Sequence, residues 1–401
     1  MNKILSMNGF YVILFILSIL AISFGSVGSG FFNNYNITVY LSYFLIIILL
    51  ISKGEALKNL KTALSLKICI MFLVFFISCI IAEMNSAFDV WYRYFSILVC
   101  VLYGSVFYYL SESKKINIDI FYKALSGFGV LHVLFLIVFA FNLNDPLSHD
   151  WAKHLPFFNN IRNFTDYLVV CFLCSFYLFF KNTKDYKYFV FCTFILSCLF
   201  WSGSRSSILA GFCSLLFIIY YFKERLINFL YLSVMVFSSA LISICFAVNT
   251  PGFGVYSSLY RSVGGSLNKI SSSRLDVYKQ VFDLICSRPF FGYGGEAVRN
   301  QGVMAGEMKL AQAHNFILQI LIEFGLVGLI LVFIVLFSIL SRVDFKGINK
   351  ENCIVYAVVL NIIISSMFNG GFYYTATLSI FCLFLSYLCY LNNNVDSINE
   401  R

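Results

Sequence analysis

The sequence predicts an all-α, polytopic membrane bundle of about twelve transmembrane helices with one long structured loop. Of its 401 residues, 60% are hydrophobic and only 12% are charged, whereas charged residues make up about a quarter of a soluble globular domain. Apolar runs of roughly 17–25 residues recur along the chain, and each is long enough to cross the core of a bilayer as a helix. Such runs favour a helical bundle over a β-barrel, because a helix satisfies its backbone hydrogen bonds within one segment.

The apolar runs divide the chain into three regions. We expect transmembrane helices 1–9 in residues 1–248, a long loop in residues 249–313, and helices 10–12 with a polar tail in residues 314–401. The predicted spans cover residues 9–27, 36–51, 67–83, 92–110, 120–142, 164–180, 188–202, 206–222, 226–248, 314–340, 352–367 and 375–391. The first span follows a single lysine and lacks a clear small-residue cleavage site, so we interpret it as a retained helix.

The basic residues indicate how the helices are oriented. Five connecting segments on one side carry Lys or Arg, at residues 52–67, 111–115, 181–187, 223–225 and 341–350. Three short loops on the other side, at residues 28–35, 84–90 and 368–374, carry neither. Because cytoplasmic loops are enriched in Lys and Arg, both termini are predicted to be cytoplasmic. The same enrichment explains the net charge of +9 without a nucleic-acid partner.

Two longer segments on the outer side do not follow this charge rule. Residues 143–163 carry two Lys or Arg side chains, and residues 249–313 carry seven. Long loops are translocated largely regardless of their charge. A polyanionic ligand at the outer face would equally account for these positive charges.

The long loop contains a predicted amphipathic helix of its own, at about residues 273–287. Its apolar residues recur at helical spacing: Leu275, Tyr278, Phe282 and Ile285, with Val281 beside them. We expect this apolar face to lie on the membrane or on the bundle. The helix should end at Arg288-Pro289, and the glycine-rich turn at residues 292–295 follows. A loop of this length with structure of its own is usually functional.

Two arginines on the outer side are candidate anion-binding residues. Arg205 lies at the end of a predicted span among small residues, in the stretch WSGSRSS, which leaves room for a bulky ligand. Its planar guanidinium suits phosphate oxygens, although it could equally extend to lipid headgroups. Arg274 opens the loop helix, where a cation is unfavourable for the helix dipole. The alternative for Arg274 is an ordinary surface charge.

His314 and Asn315 lie at the start of a predicted span, and Glu323 lies deeper within it. An imidazole titrates near neutrality and can therefore accept a proton from a sugar hydroxyl. The alternative is a structural histidine. Charged groups inside spans usually face the bundle interior, where they are paired or functional. Arg162 and Asp166, four residues apart, are a candidate pair of this kind.

Metal and redox chemistry find little support in the sequence. His149, Asp150 and His154 lie close together, but their spacing matches no strong ligand pattern. Cys171 and Cys174 have a CxxC spacing inside an apolar run, where cysteine acts as a small apolar residue. We therefore predict no metal and no other cofactor.

Three stretches, in this order, resemble the O-antigen ligase superfamily of O-antigen ligases, O-antigen polymerases and bacterial O-linked oligosaccharyltransferases. They are SGSRSS (202–207), SSSRLDVYKQVFDLICSRPFFGYG (271–294) and AHNFILQILIEFGLVGLIL (313–331). The stretch FFNNIRNFTDYL (157–168) also resembles a family segment at the start of a span. The resemblance covers roughly residues 160–340, and the first five spans agree in topology only.

The resemblance implies a function and a site. Members transfer a glycan from undecaprenyl pyrophosphate to a hydroxyl at the periplasmic face of the bacterial inner membrane, without a metal. The arginines that hold the pyrophosphate in the family match Arg205 and Arg274, and the histidine that activates the acceptor matches His314. The supporting residues would be Arg162, Asp166, Asn315 and Glu323. The long loop would then be periplasmic.

Within the superfamily, we expect an O-antigen ligase whose acceptor is lipid A–core. The alternatives are an O-antigen polymerase, whose acceptor is a second lipid-linked repeat unit, and a protein O-oligosaccharyltransferase. A polysaccharide transporter is a fourth possibility from a different class. The sequence shows no inverted repeat and no matching pair of Gly/Pro-broken helices, which disfavours a transporter.

Overall fold

The computed structural model describes residues 16–20, 22, 66–84, 90–112, 117–158, 160–222, 225–245, 274–341, 343, 345 and 347–399. The predicted span at residues 36–51 lies outside the described residues, and the span at 9–27 lies largely outside them. The first part of the long loop, residues 249–273, lies outside them as well.

The described chain is mostly helical, with one short hairpin. The helices are α1 (Leu66–Glu83), α2 (Val90–Glu112), α3 (Ile118–Phe141), α4 (Ile161–Lys181), α5 (Tyr186–Ser202), α6 (Arg205–Tyr221), α7 (Arg225–Cys245), α8 (Arg274–Ser287), α9 (Ala297–Asn300), α10 (Phe316–Leu340), α11 (Cys353–Asn369) and α12 (Thr375–Asn399). Strands β1 (Met304–Ala305) and β2 (Met308–Lys309) pair antiparallel. A 3₁₀ turn at Gly371–Tyr373 connects α11 to α12.

Each predicted span from residue 67 onward coincides with one of these helices, and α8 is the predicted loop helix. Among the described residues, those long and apolar enough to cross a membrane are α1, Arg93–Glu112 of α2, α3, α4 and α10. Shorter apolar helices are α5, α6, Phe229–Cys245 of α7, α11 and Thr375–Leu391 of α12. The prediction of a helical membrane protein is thus confirmed. The total of about twelve spans and the division into three regions stay predictions.

The chain forms two compact units, each assembled from separate stretches. Unit 1 comprises residues 1–46, 110–262 and 345–365, and unit 2 comprises residues 47–109, 263–344 and 366–401. Each candidate site residue therefore lies either in unit 1 or in unit 2.

Helix α4 forms the interior of unit 1, where it packs against α3, α5 and α6. Small residues let α3 and α4 approach each other closely: a Cβ on Gly129 would lie 2.6 Å from the Cβ of Cys171. The hydroxyls of Ser126 and Ser175 are hydrogen-bonded across α3 and α4 at 2.6 Å. Membrane helices commonly associate through such small and hydroxyl side chains. Cys171 and Cys174 are buried here, in agreement with a packing role.

In unit 2, α10 packs against α1 and against the loop helix α8. The buried face of α8 overlaps the predicted one but is rotated from it, since Val281 and Ile285 belong to both. Its buried residues are Val277, Val281 and Ile285, whereas Leu275 and Phe282 are exposed. Apolar residues surround more than half of this helix, so periodicity alone could not specify which of them would meet α10.

Helix α10 is broken at Gly325, within what the sequence predicts as one uninterrupted span. Gly325 has φ 67° and ψ −170°, a conformation that is essentially restricted to glycine. The glycine-rich turn fills the break, and the N–H groups of residues 293–294 donate to the carbonyls of residues 322–323, both at 2.8 Å. In return, the N–H of Leu326 donates to the carbonyl of Pro289 at 2.7 Å. Backbone groups at the break are thereby satisfied, as a membrane environment requires.

Candidate active site

His314 lies immediately before α10 and adopts a left-handed backbone conformation. Asn315 caps the helix, because its Oδ1 accepts hydrogen bonds from the N–H groups of Ile317 (2.9 Å) and Leu318 (3.1 Å). His314 itself has φ 56° and is only 8% exposed. Such a conformation is uncommon for a residue other than glycine, and residues held in this way concentrate at functional sites.

The end of α11 and Gly370, which follows it, bring His314 and Asn315 close to Arg274. The side-chain amide of Asn315 donates to the carbonyl of Met367 at 3.2 Å. Two residues later, Asn369 accepts a hydrogen bond from Nη2 of Arg274 at 3.4 Å. A Cβ on Gly370 would lie 3.3 Å from the Cα of His314. Two of the three principal candidates, Arg274 and His314, therefore lie against the same end of α11 within unit 2.

Asn369 and Gly370 were not among the residues singled out from the sequence. Asn369 is fully buried, and Gly370 has φ 67°. Any side chain on Gly370 would also collide with Oε1 of Gln312. In the sequence, the stretch FNGG is typical of an ordinary short turn between two spans. The sequence carries one weak indication that this stretch is special: two glycines follow an asparagine, a combination that favours a tight and locally unusual backbone.

Glu323 lies at the centre of a buried polar network in unit 2. Its Oε2 lies 3.5 Å from Nε of Arg93, and both side chains are almost completely buried. Its Oε1 accepts hydrogen bonds from Nε2 of Gln319 at 2.8 Å and from the N–H of Glu296 at 3.1 Å. The expectation that a charge inside a span would be paired is confirmed for Glu323, and its partner is Arg93.

The same network extends to the turn before α12. Arg93 donates to the carbonyls of Tyr373 (2.8 Å) and Phe372 (2.6 Å), and the phenol of Tyr373 donates to the carboxylate of Glu296 at 2.8 Å. Burial and the negative charge of Glu296 raise the pKa of Tyr373 well above its ordinary value. Tyr373 therefore stays a neutral hydrogen-bond donor. These contacts join the long loop, α2 and the turn at residues 371–373.

Arg205 begins α6 in unit 1, directly after the small-residue stretch. Gly203, with φ 65°, ends α5 and permits the tight turn. Two residues into α6, the hydroxyl of Ser207 donates to Oδ1 of Asp166 at 2.7 Å. Asp166 therefore connects the start of α4 to the start of α6, beside Arg205. Arg162 lies in the first turn of α4, and its role as a partner of Asp166 stays a prediction.

In the segment before α4 that contains His149 and His154, the ring of His149 contacts other groups of the same segment. The ring nitrogen Nε2 of His149 lies 2.6 Å from the backbone carbonyl of His154, and its ring packs on Trp151 at 4.7 Å. In the part of the chain that the structure describes, no three His, Cys, Asp or Glu side chains are grouped to hold a metal ion. The weak metal interpretation of this segment therefore gains no support.

Comparison with known families agrees with the sequence resemblance. Residues 189–333 match the family model described as O-antigen ligase, a stretch of just over a third of the chain. The matched stretch contains Arg205, Arg274 and His314, and it ends before the last two helices. No curated protein matches the chain. The resemblance to the O-antigen ligase superfamily is thereby confirmed.

Proposed function

We infer that this protein, a multi-pass membrane protein whose residues 189–333 match the O-antigen ligase family, is an O-antigen ligase. It would transfer O-polysaccharide from undecaprenyl pyrophosphate to a hydroxyl of lipid A–core at the periplasmic face of the bacterial inner membrane. The observation that carries the proposal is that Arg274 and His314 both lie against the end of α11, at Asn369 and Gly370 in unit 2. There, an anion-binding group lies near a group that can accept a proton.

The proposed chemistry follows from what the two residue types do. The acceptor oxygen forms a bond to the anomeric carbon as the bond between that carbon and the pyrophosphate oxygen breaks. His314 takes the proton from the acceptor hydroxyl, a contribution of roughly 10²–10⁴-fold in rate. Undecaprenyl pyrophosphate leaves with its growing negative charge stabilised by arginine. Attack opposite the leaving group inverts the anomeric centre, so no covalent enzyme intermediate forms.

Arg205 is proposed as the second pyrophosphate ligand. Two observations support this role. Arg205 lies within the matched family stretch, and it begins α6, where the neighbouring side chains are small and one of them, Ser207, is bound to Asp166. Two guanidinium groups would supply the charge that a metal ion supplies in other glycosyltransferases, so the proposed reaction is metal-independent.

A reconstituted transfer assay tests this proposal. The purified protein would be placed in nanodiscs with an undecaprenyl-pyrophosphate-linked glycan and lipid A–core, and the product would be separated by gel. We expect His314→Ala to lower kcat by about 10²-fold or more, and Arg274→Ala to lower kcat/KM. His154→Ala is the matched control, because His154 is exposed in a loop. Normal transfer by a well-folded His314→Ala protein would contradict the proposal.

Deletion of the gene in its host separates ligase from polymerase. Bare core with long polymer still on the lipid carrier is the result expected for a ligase. Core that carries a single repeat unit would instead assign the polymerase reaction, in which the acceptor is another lipid-linked repeat. An unchanged lipopolysaccharide profile would contradict both.

A further inference from the structure

The backbone conformation of His314 needs support from its neighbours. A left-handed conformation at a residue other than glycine persists only where the surrounding structure imposes it. Asn315 provides support on one side, because its amide is bound both to α10 and to the carbonyl of Met367. The residue on the other side of His314 is Ala313, whose N–H group is buried and needs a partner of its own.

Gln319 supplies that partner. Its Oε1 accepts a hydrogen bond from the N–H of Ala313 at 2.8 Å, and the side chain is 3% exposed. Since Gln319 lies one turn into α10, this bond ties the residue before His314 back onto the helix that follows it. Between them, Asn315 and Gln319 hold the chain on both sides of His314.

A glutamine amide can be turned by 180°, which would present a donor to Ala313 instead of an acceptor. Glu323 prevents this, because its Oε1 accepts from Nε2 of Gln319 at 2.8 Å. Glu323 is held in turn by Arg93 on one oxygen and by the N–H of Glu296 on the other. The buried ion pair therefore determines which end of the Gln319 amide faces Ala313.

We propose that Gln319 is a positioning residue for the transfer reaction, and that it holds the backbone of His314 in place under the control of the Arg93–Glu323 ion pair. This inference rests on the proposed function, since it assigns Gln319 a role through the proposed general base. A bystander role, in which the three side chains only satisfy one another inside a membrane helix, predicts different kinetics for variants of Gln319.

The experiment compares Gln319→Met with Gln280→Met, each alone and in a His314→Ala background. Methionine keeps the length of glutamine but makes neither hydrogen bond. Gln280 is the matched control in unit 2, because its amide likewise accepts from a backbone N–H and donates to an oxygen, here the N–H (3.0 Å) and the carbonyl (2.8 Å) of Met304. We expect Gln319→Met to lower kcat by roughly 10–100-fold, to leave the donor KM within about twofold, and to leave the thermal midpoint close to that of Gln280→Met.

The His314→Ala background provides the decisive comparison. If Gln319 acts through His314, Gln319→Met should cost nothing further once His314 is alanine. An equal loss in both backgrounds, or an unchanged kcat in the single variant, would overturn the inference. Full activity of His314→Ala alone would instead refute the proposed function, so the two failures are distinguishable.

A second variant keeps the inference testable if Gln319→Met does not accumulate in the membrane. Gln319→Glu still accepts from Ala313 but places a second carboxylate beside Glu323, so it should lower kcat at least tenfold. Adding Glu323→Gln restores a donor between the two side chains and an acceptor for Arg93, although the N–H of Glu296 then loses its acceptor. We expect the double variant to regain part of the lost kcat. A double variant no more active than Gln319→Glu would overturn the inference.

Discussion

Replacement of Gly325 by alanine should strongly destabilise the protein, because it combines backbone strain with a collision. At φ 67° and ψ −170°, an alanine costs about 1–3 kcal/mol in backbone strain. Its Cβ would also collide with the carbonyl of Phe290. Relief of that collision must weaken the bonds from Leu326 to Pro289 (2.7 Å) and from Val327 to Phe290 (3.3 Å), at about 1 kcal/mol each. We therefore expect a total loss of about 3–5 kcal/mol.

Substitutions at two other glycines separate the cost of backbone strain from the cost of the collision. Gly306 has φ 61° but open space where a Cβ would lie, so Gly306→Ala should show only the conformational cost of about 1–2 kcal/mol. Gly127 lies inside α3 with no atom within 4 Å of a new Cβ, so Gly127→Ala should be neutral or slightly stabilising. The assay is the thermal midpoint of each purified variant in one detergent. Equal midpoints for Gly325→Ala and Gly306→Ala would refute the collision argument.

Three further predictions concern unit 2. Asn315→Ala removes the cap of α10 and should cost about 1 kcal/mol of stability, measured as the thermal midpoint, together with a loss of transfer activity. Arg93→Leu leaves the buried carboxylate of Glu323 unpaired and should cost about 3–5 kcal/mol. Arg93→Leu with Glu323→Leu should recover only part of this, because Gln319 and the N–H of Glu296 then lose their acceptor. Tyr373→Phe removes a bond to Glu296, and its effect on the midpoint should be the same at pH 6 and pH 9. This pH independence follows because the ordinary pKa of tyrosine is 10.0 and that of Tyr373 is raised further, so the phenol is protonated in both the folded and the unfolded state.

The spans and the helix ends could be predicted from the sequence because their causes are local. A bilayer demands a long apolar run, whatever the rest of the chain does. The loop helix α8, predicted at about residues 273–287, is observed at Arg274–Ser287. The order of the motifs at Arg205, Arg274 and His314 likewise lies in the sequence, and it was sufficient to indicate the family.

The partner of Glu323 could not be predicted, because Arg93 lies 230 positions earlier in the chain and the network needs groups from four separate segments. The break at Gly325 also depends on a distant segment, since residues 289–294 must fill it. A glycine inside an apolar run does not reveal such a partner.

The sequence by itself determined that this is a helical membrane protein, where most helices lie, and which residue types could bind a pyrophosphate and accept a proton. Only the tertiary structure decided which residues of α8 are buried, that Arg274 and His314 both lie against the end of α11, and how Gln319 reaches Ala313. The physical reason is that lipid and protein interior are both apolar, so the hydrophobic pattern selects the membrane but not the neighbouring helix. That choice is made by packing and hydrogen bonds between residues far apart in the chain.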